Sequence, residues 1–152
     1  MNKKLRQRAA RVIKDSLELM VKEGVVKTTY IELAGATPSK KNSRKVNFKT
    51  KRTYLDPKFQ LWYEQALLQI NALIKTKEQI DETLAFDICF YHSTKRRKDP
   101  DNGLSSVLDL LVDTEVLKDD NWKVLPFIIL RNEEALEDRC EITIYTENKE
   151  EE

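Results

Sequence analysis

Two sets of carboxylates flank one apolar segment of this sequence, and a run of cations leads into the first. Lys95-Arg96-Arg97-Lys98 passes directly into Asp99-Pro100-Asp101-Asn102, and Asp119-Asp120 follows some twenty residues on. Cations hold phosphates and carboxylate oxygens hold Mg²⁺, so this combination suits metal-assisted cleavage of a phosphodiester. A competing reading is structural. Aspartate at the start of a helix is a good N-cap, where free N–H groups and the helix dipole favour negative charge. Three carboxylates brought together repel unless a divalent cation neutralises them or one takes up a proton.

The segment between the two sets must position them. Leu104, Val107, Leu108, Leu111 and Val112 recur at the spacing of a helix laid on a core. Pro100 suits the first turn of that helix, and Gly103 costs it up to roughly 1 kcal/mol. Thr114 to Leu117 reads as a short link. Asp119-Asp120 then leads into a strand predicted over Val124–Arg131, with Pro126 arguing for an edge position or a bulge. A strand running antiparallel to the helix lets the second acidic pair approach the first.

The string Arg96 to Asn102, then Asp109-Leu110-Leu111, then Val116-Leu117-Lys118-Asp119-Asp120, resembles the RusA family of Holliday-junction resolvases. Pro38-Ser39-Lys40-Lys41-Asn42-Ser43 resembles the family's Pro-x-x-x-Asn loop, and Tyr54-Leu55-Asp56-Pro57 the lead-in to its first helix. The resemblance spans Tyr30 to Tyr145 in the family's order. It implies a Mg²⁺-dependent homodimeric endonuclease, with Mn²⁺ able to substitute, that cuts four-way DNA junctions by paired symmetric nicks. Carried over by position, the catalytic, metal-holding aspartates are Asp99, Asp101 and Asp120, with Asp119 beside them as a further metal candidate. One position departs: the family usually has a functionally important lysine four residues after the second aspartate of its DxDN, where this chain has Ser105.

The charge distribution agrees with a nucleic-acid partner. The formal net charge is only +1, but residues 1–52 hold fifteen Lys/Arg against four Asp/Glu, and the remainder twelve against twenty-two. Such asymmetry suggests a basic face on an acidic body. Gly35 to Arg52 reads as a long basic loop, or a poorly formed hairpin, whose cations track phosphates. The DNA-binding candidates are Lys40, Lys41, Asn42, Arg44, Lys51 and Arg52 in that loop, with Arg96, Arg97 and Lys98 before the first aspartate.

The other elements follow from periodicity. Residues 3–23 form an amphipathic helix with Leu5, Ala9, Val12, Ile13, Leu17, Met20 and Val21 on one stripe, ended by Gly24. Thr28–Leu33 alternates as a strand. Pro57 opens a helix running to Lys75 with a broad apolar face that includes Phe59, Trp62 and Ile70. Thr83–Tyr91 and Arg139–Tyr145 read as strands, Asn132–Asp138 as an acidic turn, and Thr146 onward as a frayed acidic tail. His92 is the only histidine and reads as a surface residue at a strand end. Cys89 and Cys140 read as reduced core residues without metal-site spacing. No P-loop or dinucleotide fingerprint appears, so no nucleotide cofactor is expected. No apolar run approaches the roughly 20 residues of a membrane span and no signal peptide is read, so the expectation is a cytoplasmic protein without a membrane partner.

These readings converge on an α+β fold: a small mixed sheet with two helices on one face, plus an N-terminal helix. The expected division is a helical extension over 1–26, a RusA-like endonuclease domain over 27–146 and an acidic tail over 147–152. Three functions compete: a junction-resolving nuclease, a non-catalytic or weakly active junction-binding module on the same fold, and a partner-binding protein whose aspartates only cap helices.

Overall fold

The computed structural model describes residues 2–40, 43–73, 78–94 and 100–149, with the side chains of Pro100 and Asp101 left out of the description. The elements run α1 (Lys3–Lys22), β1 (Val26–Ala34), β2 (Arg44–Asn47), β3 (Arg52–Leu55), α2 (Pro57–Leu73), β4 (Ala85–His92), α3 (Pro100–Asp113), β5 (Ile128–Glu134) and β6 (Arg139–Glu147). β1, β6, β4 and β5 form a mixed sheet in that order, with β4 and β5 parallel and the other pairs antiparallel. β2 and β3 make a separate two-stranded antiparallel ribbon. The α+β fold read from periodicity is the fold observed.

The main core lies between the sheet and the two helices on one of its faces. Phe59, Trp62, Ala66 and Ile70 from α2 and Val107, Leu108, Leu110 and Leu111 from α3 meet Ile31, Leu33, Phe86, Ile88, Ile142 and Ile144 from the strands. Gly103 has a structural reason. A Cβ there would lie 3.1 Å from the Phe90 ring, so the missing side chain lets the start of α3 settle onto the end of β4. Asp56 caps α2, its Oδ1 accepting the Lys58 N–H at 2.9 Å.

The N-terminal helix packs on the opposite face of the sheet. Leu17, with Met20 and Val21, covers Val26, Ala85, Tyr145 and Ile129. Only the C-terminal half of its apolar stripe is used: Leu5, Val12 and Ile13 stay exposed. Gly24, at φ +78°, ends α1 with the two backbone bonds of a Schellman motif, Gly24 N–H to Val21 O and Val25 N–H to Met20 O.

Four expectations are corrected. The basic stretch read as a long loop or a poorly formed hairpin contains the β2–β3 ribbon, whose strands sequence alternation did not mark because both faces are largely exposed. The strand expected over Val124–Arg131 begins at Ile128 instead, since Val124 and Leu125 are buried as part of a turn whose carbonyl at Val124 accepts the Thr83 N–H. Pro126 therefore precedes the strand, and β5 is an edge strand. The expected turn over Asn132–Asp138 shortens because β5 extends to Glu134. At the other end β6 runs to Glu147, and Thr146, expected to fray, is buried opposite Lys27.

Candidate functional site

β4, α3 and β5 form a parallel crossover, so α3 returns against the direction of both strands and its first turn stands over the carboxyl end of β4. Asp101 lies in that first turn. Asp99, Lys95, Arg96, Arg97 and Lys98 precede α3 and fall outside the described residues, as do Lys41 and Asn42.

The second acidic pair sits in a turn before β5 rather than on the strand. That turn is pinned at both ends. Val116, Leu117, Val124 and Leu125 are buried, and Ile80 brackets Val116–Lys118 with backbone bonds of 2.9 and 2.8 Å. Within the turn the two aspartates differ. Asp119 Oδ1 accepts the Asp120 N–H at 2.8 Å and its Oδ2 accepts from Asn121 Nδ2 at 2.9 Å. These donors hold the Asp119 carboxyl below the usual carboxylate range, the backbone N–H being the largest cause. Asp120 is pushed the other way, first by lost hydration and then by Asp119, with the Asp109 charge contributing. Asp119 thus builds the turn, and the turn presents Asp120.

Asp109 belongs to the string that carries the family resemblance, but reading the sequence for site chemistry gave it no role. It stands on α3 two turns beyond Asp101, and its charge reaches Asp120. A site search restricted to the DxD and DD pairs passes over it. The available signals were its place in the family string and its spacing, four residues after Ser105 and eight after Asp101, off the apolar stripe.

The same helix face receives a cation from a distant loop. Ser106, almost wholly buried, donates from Oγ to the Pro38 carbonyl at 2.7 Å and accepts the Lys40 N–H at 3.1 Å. This stitch carries Lys40 to α3, where its Nζ lies 3.5 Å from Asp109 Oδ2. Both side chains are more than a third exposed. Exposed pairs of this kind contribute about 0–1 kcal/mol, too little for stability to be the main result of the arrangement.

The remaining DNA-binding candidates, Arg44, Lys51 and Arg52, are exposed on the ribbon and form no ion pair among the described residues. His92 hydrogen-bonds Asn132 across β4 and β5 at 2.8 Å. Cys89 and Cys140 are free and buried. Burial pushes both thiols up and keeps them protonated.

A family model described as Endodeoxyribonuclease RusA matches residues 35–145 of this 152-residue chain. The chain belongs to the RusA family. Membership supports a nuclease of Holliday-junction resolvase type that binds branched DNA, in a family generally dependent on a divalent metal. No curated protein matches the chain. The RusA match begins where β1 ends, so α1 lies outside it. Among the described residues no helix is long and apolar enough to cross a membrane.

The donor chemistry fits a hard divalent cation. Among the described residues no three acidic, His or Cys side chains gather into a metal cluster; the Asp99 and Asp101 carboxylates are not in that set. Of the expected ligands the described side chains include Asp120, whose carboxyl is raised first by lost hydration and then by Asp119, with a smaller contribution from the Asp109 charge. A carboxylate under like-charge repulsion is a position a divalent cation relieves.

Proposed function

We propose that this RusA-family chain is a Mg²⁺-dependent, structure-selective endodeoxyribonuclease that resolves four-way junctions by paired symmetric nicks. Asp99, Asp101 and Asp120 are the ligands, and Mn²⁺ substitutes for Mg²⁺. The observation that supports the reading is the turn of Asp119–Asn121, which spends the Asp119 oxygens on N–H donors of the turn and leaves the Asp120 carboxyl raised, first by lost hydration and then by Asp119. When bound, the cation polarises the scissile phosphate and lowers the pKa of an attacking water.

The chain's own residues supply binding and charge. Lys40, docked on α3 by Ser106 and Asp109, is the cation on the helix face where Ser105 brings none. An ammonium there stabilises charge building on the phosphate, and removing such a contact typically costs on the order of 10²–10³ in rate. Two symmetric nicks need two sites, so the working form is a homodimer. Arg44, Lys51 and Arg52 on the ribbon, with the 95–98 run, grip the junction arms.

Cleavage of a four-way junction under saturating Mg²⁺ tests this. Wild type nicks opposing strands in pairs, Asp120→Asn abolishes cutting, and Lys40→Ala slows it by about 10²–10³. A strictly monomeric species in sedimentation with DNA present sinks the paired-nick reading. A wild type that binds junctions with a steep salt dependence but never cuts is the binding module that Ser105 suggests.

A further inference from the structure

The β2–β3 ribbon stands outside both cores except at its root, where Leu55 packs against the main one. Its tip carries Phe48, whose ring is 92% exposed. Leaving a phenylalanine in water forgoes roughly 1.5–3 kcal/mol of burial, so this position is not there for stability.

The tip is an ordered turn. Asn47 Oδ1 accepts the Lys49 N–H at 3.0 Å, the Lys51 N–H bonds the Asn47 carbonyl at 2.8 Å, and Lys51 takes the left-handed conformation at φ 56°. Phe48 is therefore held out on a shaped support. From Arg44 to Leu55 the ribbon has five basic residues and no carboxylate. Register places Lys45 opposite Tyr54 and Asn47 opposite Arg52, so the half-exposed Tyr54 ring shares a ribbon face with two cations, of which Lys45 is paired with Asp56 just past the ribbon at 3.2 Å and Arg52 forms no ion pair among the described residues.

Exposed rings among cations, on a ribbon without acids, match DNA whose bases are open to stacking: phosphates meet the cations and a base meets the ring. A second copy of this ribbon would bring like charges together, which disfavours a self-contact. We propose that Phe48 is a base-stacking wedge, placed by the ribbon against an unstacked base at the branch point of the DNA while the flanking cations hold its phosphates. This rests on the junction-nuclease reading above and adds a contact that recognises the branch.

The test uses the full chain in EDTA, which separates binding from cleavage. The probe is a four-way junction with 2-aminopurine at the branch point, alongside a linear duplex of the same sequence. Phe48→Ala keeps the wild-type melting temperature, loses the 2-aminopurine signal and binds the junction about 5–150-fold more weakly, the equivalent of one base stack. Its salt dependence and duplex affinity stay at wild type. Phe48→Trp retains the signal, and Arg52→Ala lowers the salt slope by about one phosphate without removing it. A Phe48→Ala protein with wild-type junction affinity and signal overturns the wedge and leaves the nuclease reading standing. Loss of a dimer in sedimentation on Phe48→Ala also overturns it, because the ring then contacts a second copy. Failure of the wild type to prefer junction over duplex overturns the underlying reading and the wedge with it.

Discussion

Asp119 and Asp120 are adjacent, identical in type and opposed in chemistry. Asp119 spends both oxygens on its neighbours' N–H groups; Asp120 loses hydration and takes the repulsion. Linkage then gives them opposite signs. Asp119, held below its unfolded value, contributes stability above the ordinary carboxylate range, and that contribution is lost as pH falls through its lowered value. Asp120, held above its unfolded value, costs stability at neutral pH, and the cost fades as pH falls through its raised value. In metal-free protein we therefore expect Asp119→Asn to lower the neutral-pH melting temperature and Asp120→Asn to leave it level or raise it. With millimolar Mg²⁺ the ranking changes: the metal-induced rise in melting temperature survives Asp119→Asn and disappears in Asp120→Asn. Equal loss of the Mg²⁺ response in both variants would contradict the division of labour. The acidic pair was legible as a string of letters. The family resemblance singled out Asp120, but the turn that Asp119 builds was not legible, because it depends on where the Asn121 side chain turns. The Lys40–Asp109 contact joins residues far apart in sequence through a buried serine, and no local pattern announces it.

At the scale of elements, α3 shows how a helix can be stopped against its residue preferences. Glu115 sits at φ 62° where glycine is the usual occupant, and the Schellman bonds, Glu115 N–H to Val112 O and Val116 N–H to Leu111 O, are made regardless. The left-handed conformation costs a non-glycine residue about 1 kcal/mol. Glu115→Gly recovers part of this against its greater unfolded-state entropy, so we expect about 0.5 kcal/mol of added stability, read as a higher urea midpoint at unchanged slope. A lower midpoint would show that the glutamate side chain makes a compensating contact. The three helices were legible because their apolar residues keep a 3.6-residue period over several turns. β2 and β3 were legible only as a hairpin alternative to a loop, since a ribbon exposed on both faces has no alternation to display. β5 was displaced in the reading because Val124 and Leu125 are apolar for burial in a turn, whereas the strand itself ends in Asn132-Glu133-Glu134 at a sheet edge.

At the scale of the molecule, the sheet is covered on both faces, and the second cover is partial. Leu17 is the buried anchor of α1, while Leu5 on the same stripe is 57% exposed. Leu17→Ala is expected to cost about 2–3 kcal/mol in urea denaturation, the low end for a buried leucine because the site lies near the rim. Leu5→Ala should change stability by less than about 0.5 kcal/mol. Comparable losses for the two would mean that the N-terminal half of α1 is covered in solution, as in the homodimer proposed above. The order of strands has a further consequence, for how the protein comes off the ribosome. β6, the last strand made, pairs with β1 on one side and β4 on the other, Val26 lying opposite Glu147. A nascent chain that has not reached Arg139 can pair β2 with β3 and β4 with β5, but β1 is left without its partner edge. Folding is therefore slow for the chain's size, because the central contacts are among the most distant in sequence. Truncation before β6 removes the middle of the sheet, whereas truncation before β1 removes only a lid.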